Sequence, residues 1–130
     1  MLINTSKTFQ YLKEIRSGNV KEGMKLDIGE IDQYIRFKRS NFNVVLGHAN
    51  VGKTTVILYL MLCYAKKHDI KWLVYSSENE PHSIIRKLVE FLEQKPINKI
   101  DDETFKKHFD YITERFKIIS NDTLHTYRTL

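Results

Sequence analysis

Gly47-His48-Ala49-Asn50-Val51-Gly52-Lys53-Thr54 is the stretch whose reading decides the fold. Two glycines separated by four open positions, then a lysine and a hydroxyl residue, match the pattern of a loop whose backbone N–H groups surround a phosphate chain. Each fixed position has a task. Gly47 and Gly52 let the backbone turn and approach the phosphates, where a Cβ is expected to interfere. Lys53 supplies a mobile cation to the terminal phosphates, and the Thr54 hydroxyl suits a magnesium ion bridging phosphate oxygens. His48, Ala49, Asn50 and Val51 shape the loop, and Thr55 completes the set of binding residues. The expected ligand is a magnesium nucleoside triphosphate, ATP with Mg2+.

The flanks supply the context this loop needs. Asn43-Val44-Val45-Leu46 is short, β-branched and apolar, which predicts a strand covered on both faces. Thr54 to Lys67 carries apolar residues on nearly every face and closes on Lys66-Lys67, which predicts a buried helix. Lys71 to Tyr75 reads as a second strand, Pro81 opens a helix from His82 to Gln94, and Asp102 to Phe116 reads as another helix. Lys117 to Ser120 is a third short strand, and Asn121-Asp122-Thr123 offers caps for a further helix. Alternation of this kind predicts an α/β fold with a parallel sheet and flanking helices.

On the other side of the loop the reading is less regular. Thr5 to Ser17 places Phe9, Leu12 and Ile15 at helical spacing, with Thr5 or Ser6 as cap and Gly18 as stop. Gly18 to Gly29 is turn-rich and carries Met24, Leu26 and Ile28 in alternation, the pattern of a short strand. Glu30 to Phe37 allows one or two helical turns. The chain therefore divides into an N-terminal helix and linker over 1–22 and an α/β part over 23–130.

Strand two ends in Ser76-Ser77-Glu78-Asn79-Glu80. Ligands of open α/β sheets bind at this carboxyl edge, so two carboxylates approach the phosphate loop. Glu78 is placed to orient and deprotonate the water that attacks the terminal phosphorus, since this chemistry depends on positioning and electrostatics. Glu80 suits the positive end of the next helix, and Ser76 and Ser77 suit local backbone groups.

Gly47 to Thr55, followed by Val74-Tyr75-Ser76-Ser77-Glu78, resembles the RecA-like P-loop ATPase core of DnaB-type replicative helicases. Gly23 to Asp32 stands where that family has an approach turn and a leucine-aspartate pair, here Ile31-Asp32, and the similarity extends through Ile118 to Asp122. The resemblance implies ATP hydrolysis in DNA replication, with Glu78 as catalytic base and Lys53 on the phosphates. It also implies single-stranded DNA as partner and a homo-oligomeric ring, a hexamer in the family, in which a helix such as Thr5 to Ser17 docks on a neighbour.

The family next has an interior strand ending in a magnesium-holding aspartate, then DNA-contacting loops and an arginine finger. None follows Ser120 here, so metal coordination rests on Thr54 and the sheet is expected to be incomplete, with a gap and exposed strand edges. A truncated, non-hydrolysing module that joins a partner ATPase is the rival reading. A RecA-type recombinase shares the loop and glutamate, and a small-molecule kinase shares the loop alone.

Other features bound these readings. A chain of 130 residues suffices for one core. No apolar run approaches a membrane span, and the N-terminus lacks the layout of a secretory signal, which places the protein in a cytoplasm without membrane partners. The net charge of +5 permits an anionic partner without naming one. Arg36-Phe37-Lys38-Arg39 reads as a solvated turn with a nucleic-acid contact as alternative, and Arg86-Lys87 as a solvated helix face or a finger reaching a neighbour. Cys63 reads as a buried thiol, and the five histidines lack ligand spacing.

Overall fold

The computed structural model describes residues 2–18 and 23–120, so the helix expected from Asn121 onward lies outside the described residues. The chain divides into two compact units, Met1–Asn43 and Val44–Leu130. Each is described by itself.

In the first unit, α1 spans Thr5–Arg16. Its cap is Asn4, whose side-chain oxygen accepts the Lys7 N–H at 3.0 Å, where the sequence reading had placed Thr5 or Ser6. Phe9, Leu12 and Ile15 are all exposed. Beyond it, Asp32 organises the turn: its two carboxylate oxygens accept the N–H groups of Leu26 and Asp27, each at 2.7 Å. Arg36 donates to the Asp32 carbonyl at 2.6 Å, and Met24 pairs with Phe37 in an isolated antiparallel bridge. Two residues of the basic cluster are thus absorbed into local structure. The alternation at Met24 and Leu26 yields that single bridge and a buried Leu26 in place of a strand, and Glu30 to Phe37 yields one 3-10 turn, Ile31–Gln33.

The second unit carries the core. α2 spans Lys53–His68, β1 Trp72–Tyr75, α3 Pro81–Glu93, α4 Asp102–Arg115 and β2 Phe116–Ile119. β1 and β2 pair in parallel, Trp72 opposite Phe116 and Tyr75 opposite Ile119. A parallel pair cannot be joined by a hairpin, and α3 and α4 form the crossover. Because strand side chains alternate, Trp72, Val74, Phe116 and Ile118 face the helices, and Leu73 and Tyr75 stay exposed on the other face.

The core joins Leu58, Leu62 and Ala65 of α2 to Ile84, Leu88 and Val89 of α3 and Ile112 of α4. The apolar stripe of α3 recurs at i, i+4 and i+5, so one face is buried while Arg86 stays outside. Trp72 Nε1 donates to the Met61 carbonyl at 2.9 Å, tying β1 to α2. Asp69 and Gln94 end α2 and α3 in the left-handed conformation usually supplied by glycine. An ion pair between Arg115 and Asp69 links the end of α4 to the turn after α2.

Three expectations are corrected. Asn43 to Leu46 forms no strand: Val44, Val45 and Leu46 are 64, 52 and 88% exposed, and none joins a ladder. A strand needs a neighbour, and among the described residues the ladder is that of β1 with β2. A cavity of about 370 Å³ is lined by Val45, by Leu73, Val74 and Tyr75 of β1 and by Ile57, Leu58 and Met61 of α2, an arrangement consistent with an incomplete sheet. Secondly, α2 is not buried on every face, because Val56 and Tyr59 are exposed. Thirdly, Cys63 is only partly buried, beside Tyr59, whose phenol it pushes above the ordinary tyrosine range by charge repulsion and a hydrogen bond.

Candidate phosphate-binding site

The loop from Gly47 to Gly52 follows a run without regular structure and enters α2. Gly52 is the N-cap at φ 90°, a left-handed conformation, and Asn50 is also left-handed at φ 58°. A Cβ on Gly52 would meet open space, so the glycine is demanded by backbone conformation, and the expected steric interference does not arise there. Gly47 is different. A Cβ there would lie 3.1 and 3.2 Å from Cδ and Cγ of Lys53 and 3.3 Å from Cγ2 of Val51. What glycine admits at this position is the lysine stem.

Lys53 folds back over its own loop, donating to the carbonyls of Gly47 at 2.6 Å and His48 at 2.8 Å. The contribution of His48 here is its backbone carbonyl. Gly52 has no side chain to cap α2, so the N–H groups of Lys53, Thr54 and Thr55 open the helix without intrahelical partners, at its positive end.

A cavity of about 400 Å³ lies against this helix start, within the roughly 300–1,000 Å³ range of small-molecule sites. It is lined by Ala49, Asn50, Val51, Gly52, Lys53, Thr54 and Thr55, by Glu78 and Asn79 after β1, and by Lys87 of α3. Gly47 and His48 lie outside its lining and act through Lys53. Ser76 Oγ accepts the Asn79 N–H at 3.0 Å, which shapes the turn that presents Glu78. Glu80 is the N-cap of α3 but makes no capping hydrogen bond with its side chain. Pro81 follows at the first helical position, where its missing N–H costs nothing.

The cavity therefore combines unpartnered N–H groups, two ammonium groups, two threonine hydroxyls and one carboxylate. Such a set can hold a polyphosphate, and its hydroxyl and carboxylate oxygens are hard donors of the kind magnesium takes. No group of three histidine, cysteine, aspartate or glutamate residues that could hold a metal occurs among the described residues. Lys87, expected from the sequence on a solvated helix face or as a finger reaching a neighbour, lines this chain's own cavity; the motif does not contain it, and the packing of α3 brings it to the loop.

No family model matches the chain, and neither the curated proteins nor the solved structures give a significant match. No helix among the described residues is long and apolar enough to cross a membrane.

Proposed function

We propose that this chain is the nucleotide-binding part of an ATPase of the DnaB-like helicase kind, with Lys53 and the loop holding ATP, Thr54 holding magnesium and Glu78 acting as general base. The observation that carries the reading is the single cavity lined by Ala49 to Thr55 and by Glu78, residues separated in sequence by β1 and most of α2. The loop would contribute positive helix-end N–H groups at the phosphates, and Glu78, which lines the same cavity, would act on the water that attacks a terminal phosphorus. When bound, magnesium withdraws charge from the phosphate oxygens; Glu78 takes the proton of the attacking water.

A specific feature favours the rival reading, a nucleotide-binding module without turnover of its own. Among the described residues the ladder is that of β1 with β2, and the run before the loop joins none, so a site of this kind would be completed by another segment. Titration with labelled ATP and magnesium, followed by phosphate release with and without single-stranded DNA, separates the readings. Binding with DNA-stimulated release supports the helicase reading, binding without release supports the module, and absence of binding removes both. Sedimentation with nucleotide tests the ring.

A further inference from the structure

α3 presents two neighbouring basic residues with different surroundings. Arg86 Nε is paired with Glu90 Oε1 one helical turn on, at 2.8 Å, and its side chain is exposed. Lys87 is partly buried, has no ion pair among the described residues and lines the same cavity as Lys53, Thr54 and Glu78. The expectation that both form a solvated face or reach a neighbour is thereby divided: Arg86 satisfies its own helix, and Lys87 belongs to this chain's cavity.

The position of Lys87 matters because the two cations come from different helices and line one cavity. Lys53 opens α2 and is held by the loop's own carbonyls. Lys87 comes from α3 and lines the cavity with Glu78 and Asn79. A polyphosphate seated on the helix start has its inner phosphates against the loop N–H groups, which leaves its outer end for the remaining residues of the cavity, Lys87 among them. A partly desolvated ammonium without a carboxylate partner is a strong donor to a phosphate oxygen.

We infer that Lys87 is a specificity-determining residue that contacts the terminal phosphate and makes this site prefer a nucleoside triphosphate over a diphosphate. The inference rests on the reading of the loop as a nucleotide site. A diphosphate meets the loop, Lys53 and Thr54 and leaves Lys87 unengaged; a triphosphate engages Lys87 as well.

The test measures magnesium-ATP and magnesium-ADP affinities for the unaltered chain, Lys87→Met, Lys87→Arg and Lys53→Ala, with thermal melting as a check on folding. Lys87→Met keeps the aliphatic stem, and loss of one charge-assisted contact should lower the ATP-over-ADP preference about tenfold while ADP affinity stays unchanged. Lys87→Arg should restore most of the preference. An unaltered preference in Lys87→Met, or an equal loss for both nucleotides, would overturn the inference while leaving the nucleotide site standing, provided Lys53→Ala still abolishes binding. If the unaltered chain binds neither nucleotide, the site reading fails and the inference with it. Arg86→Met should leave the preference unchanged; a loss as large as that of Lys87→Met would mean that general basicity of α3 governs it, and would overturn the assignment to Lys87.

Discussion

The Lys53 ammonium lies 2.6 Å from the carbonyl oxygen of Gly47, and the stem of the same lysine fills the space that a Cβ on Gly47 would need. The first glycine and the lysine of the motif are thus one mechanical unit, in which a missing side chain at one position sets the path of a long one at the other. Gly47→Ala should displace Lys53 and Val51 by a few tenths of an ångström and weaken magnesium-ATP binding about tenfold, the scale of one hydrogen bond to a charged group. Isothermal titration measures this; unchanged affinity would show that the stem has another route.

Gly52 should respond for a different reason. Its φ of 90° is unfavourable for any residue with a Cβ, although the space around it is open. Gly52→Ala should cost about 1–2 kcal/mol of stability through backbone strain alone, and Gly52→Asn less, since asparagine tolerates the left-handed region. Denaturant unfolding of the two variants reads the difference, and equal losses would speak for a steric cause.

Glu78→Gln removes the proposed base but leaves a side chain of the same shape. Magnesium-ATP affinity should persist while any phosphate release falls by about 10²–10⁴-fold, the usual contribution of a positioned base. Release that survives the change intact would move the base elsewhere.

Leu88 and Ile112 are fully buried where α3 and α4 meet. Truncating either to alanine leaves a cavity in a core made of few elements, and should cost about 2–5 kcal/mol. Urea unfolding measures the loss, which is expected to exceed that of Val56→Ala on the exposed side of α2.

His108 Nε2 and Glu93 Oε2, 2.8 Å apart, join α4 to α3. The hydrogen bond from His108 holds the Glu93 carboxyl below the ordinary glutamate range, and the Thr104 N–H does the same for Asp101 at the start of α4. A carboxyl whose folded value is depressed contributes stability that is full above its unfolded value and lost as pH falls through the folded one. Stability should therefore decline on the acid side, below the ordinary carboxylate range, and Glu93→Gln should flatten that decline. Thermal melting across acid pH tests the sign, and a steeper slope in the variant would contradict it.

Particular elements show how far the sequence could be read. Trp72 to Tyr75 and Phe116 to Ile119 fall within a residue of the strands expected, because each is a short β-branched or aromatic run between helices that announce their own ends. α3 is legible from Pro81 and from its stripe of Ile84, Leu88 and Val89. Val44 to Leu46 has the same composition as the two strands, yet stays exposed and unpaired. Composition states that a segment can be a strand; a ladder needs a neighbour, and neighbours are set by the whole chain. In the site, Ala49 to Thr55 and Glu78 were legible, the former as a motif and the latter as a strand end. Lys87 was not, because helical periodicity says which residues share a face and is silent on what lies opposite.

What the sequence by itself determined is local: a glycine-rich turn opening a helix, a strand followed three residues on by Glu78, and a crossover from β1 to β2. These follow from backbone conformation and hydrophobic spacing, which act within a few residues. Only the tertiary structure decided that Lys53 closes on Gly47, that Lys87 enters the cavity in place of Arg86, and that the run before the loop joins no ladder among the described residues. Those outcomes depend on how α2, α3 and the sheet edge pack, and packing is a property of surfaces that meet from distant parts of the chain.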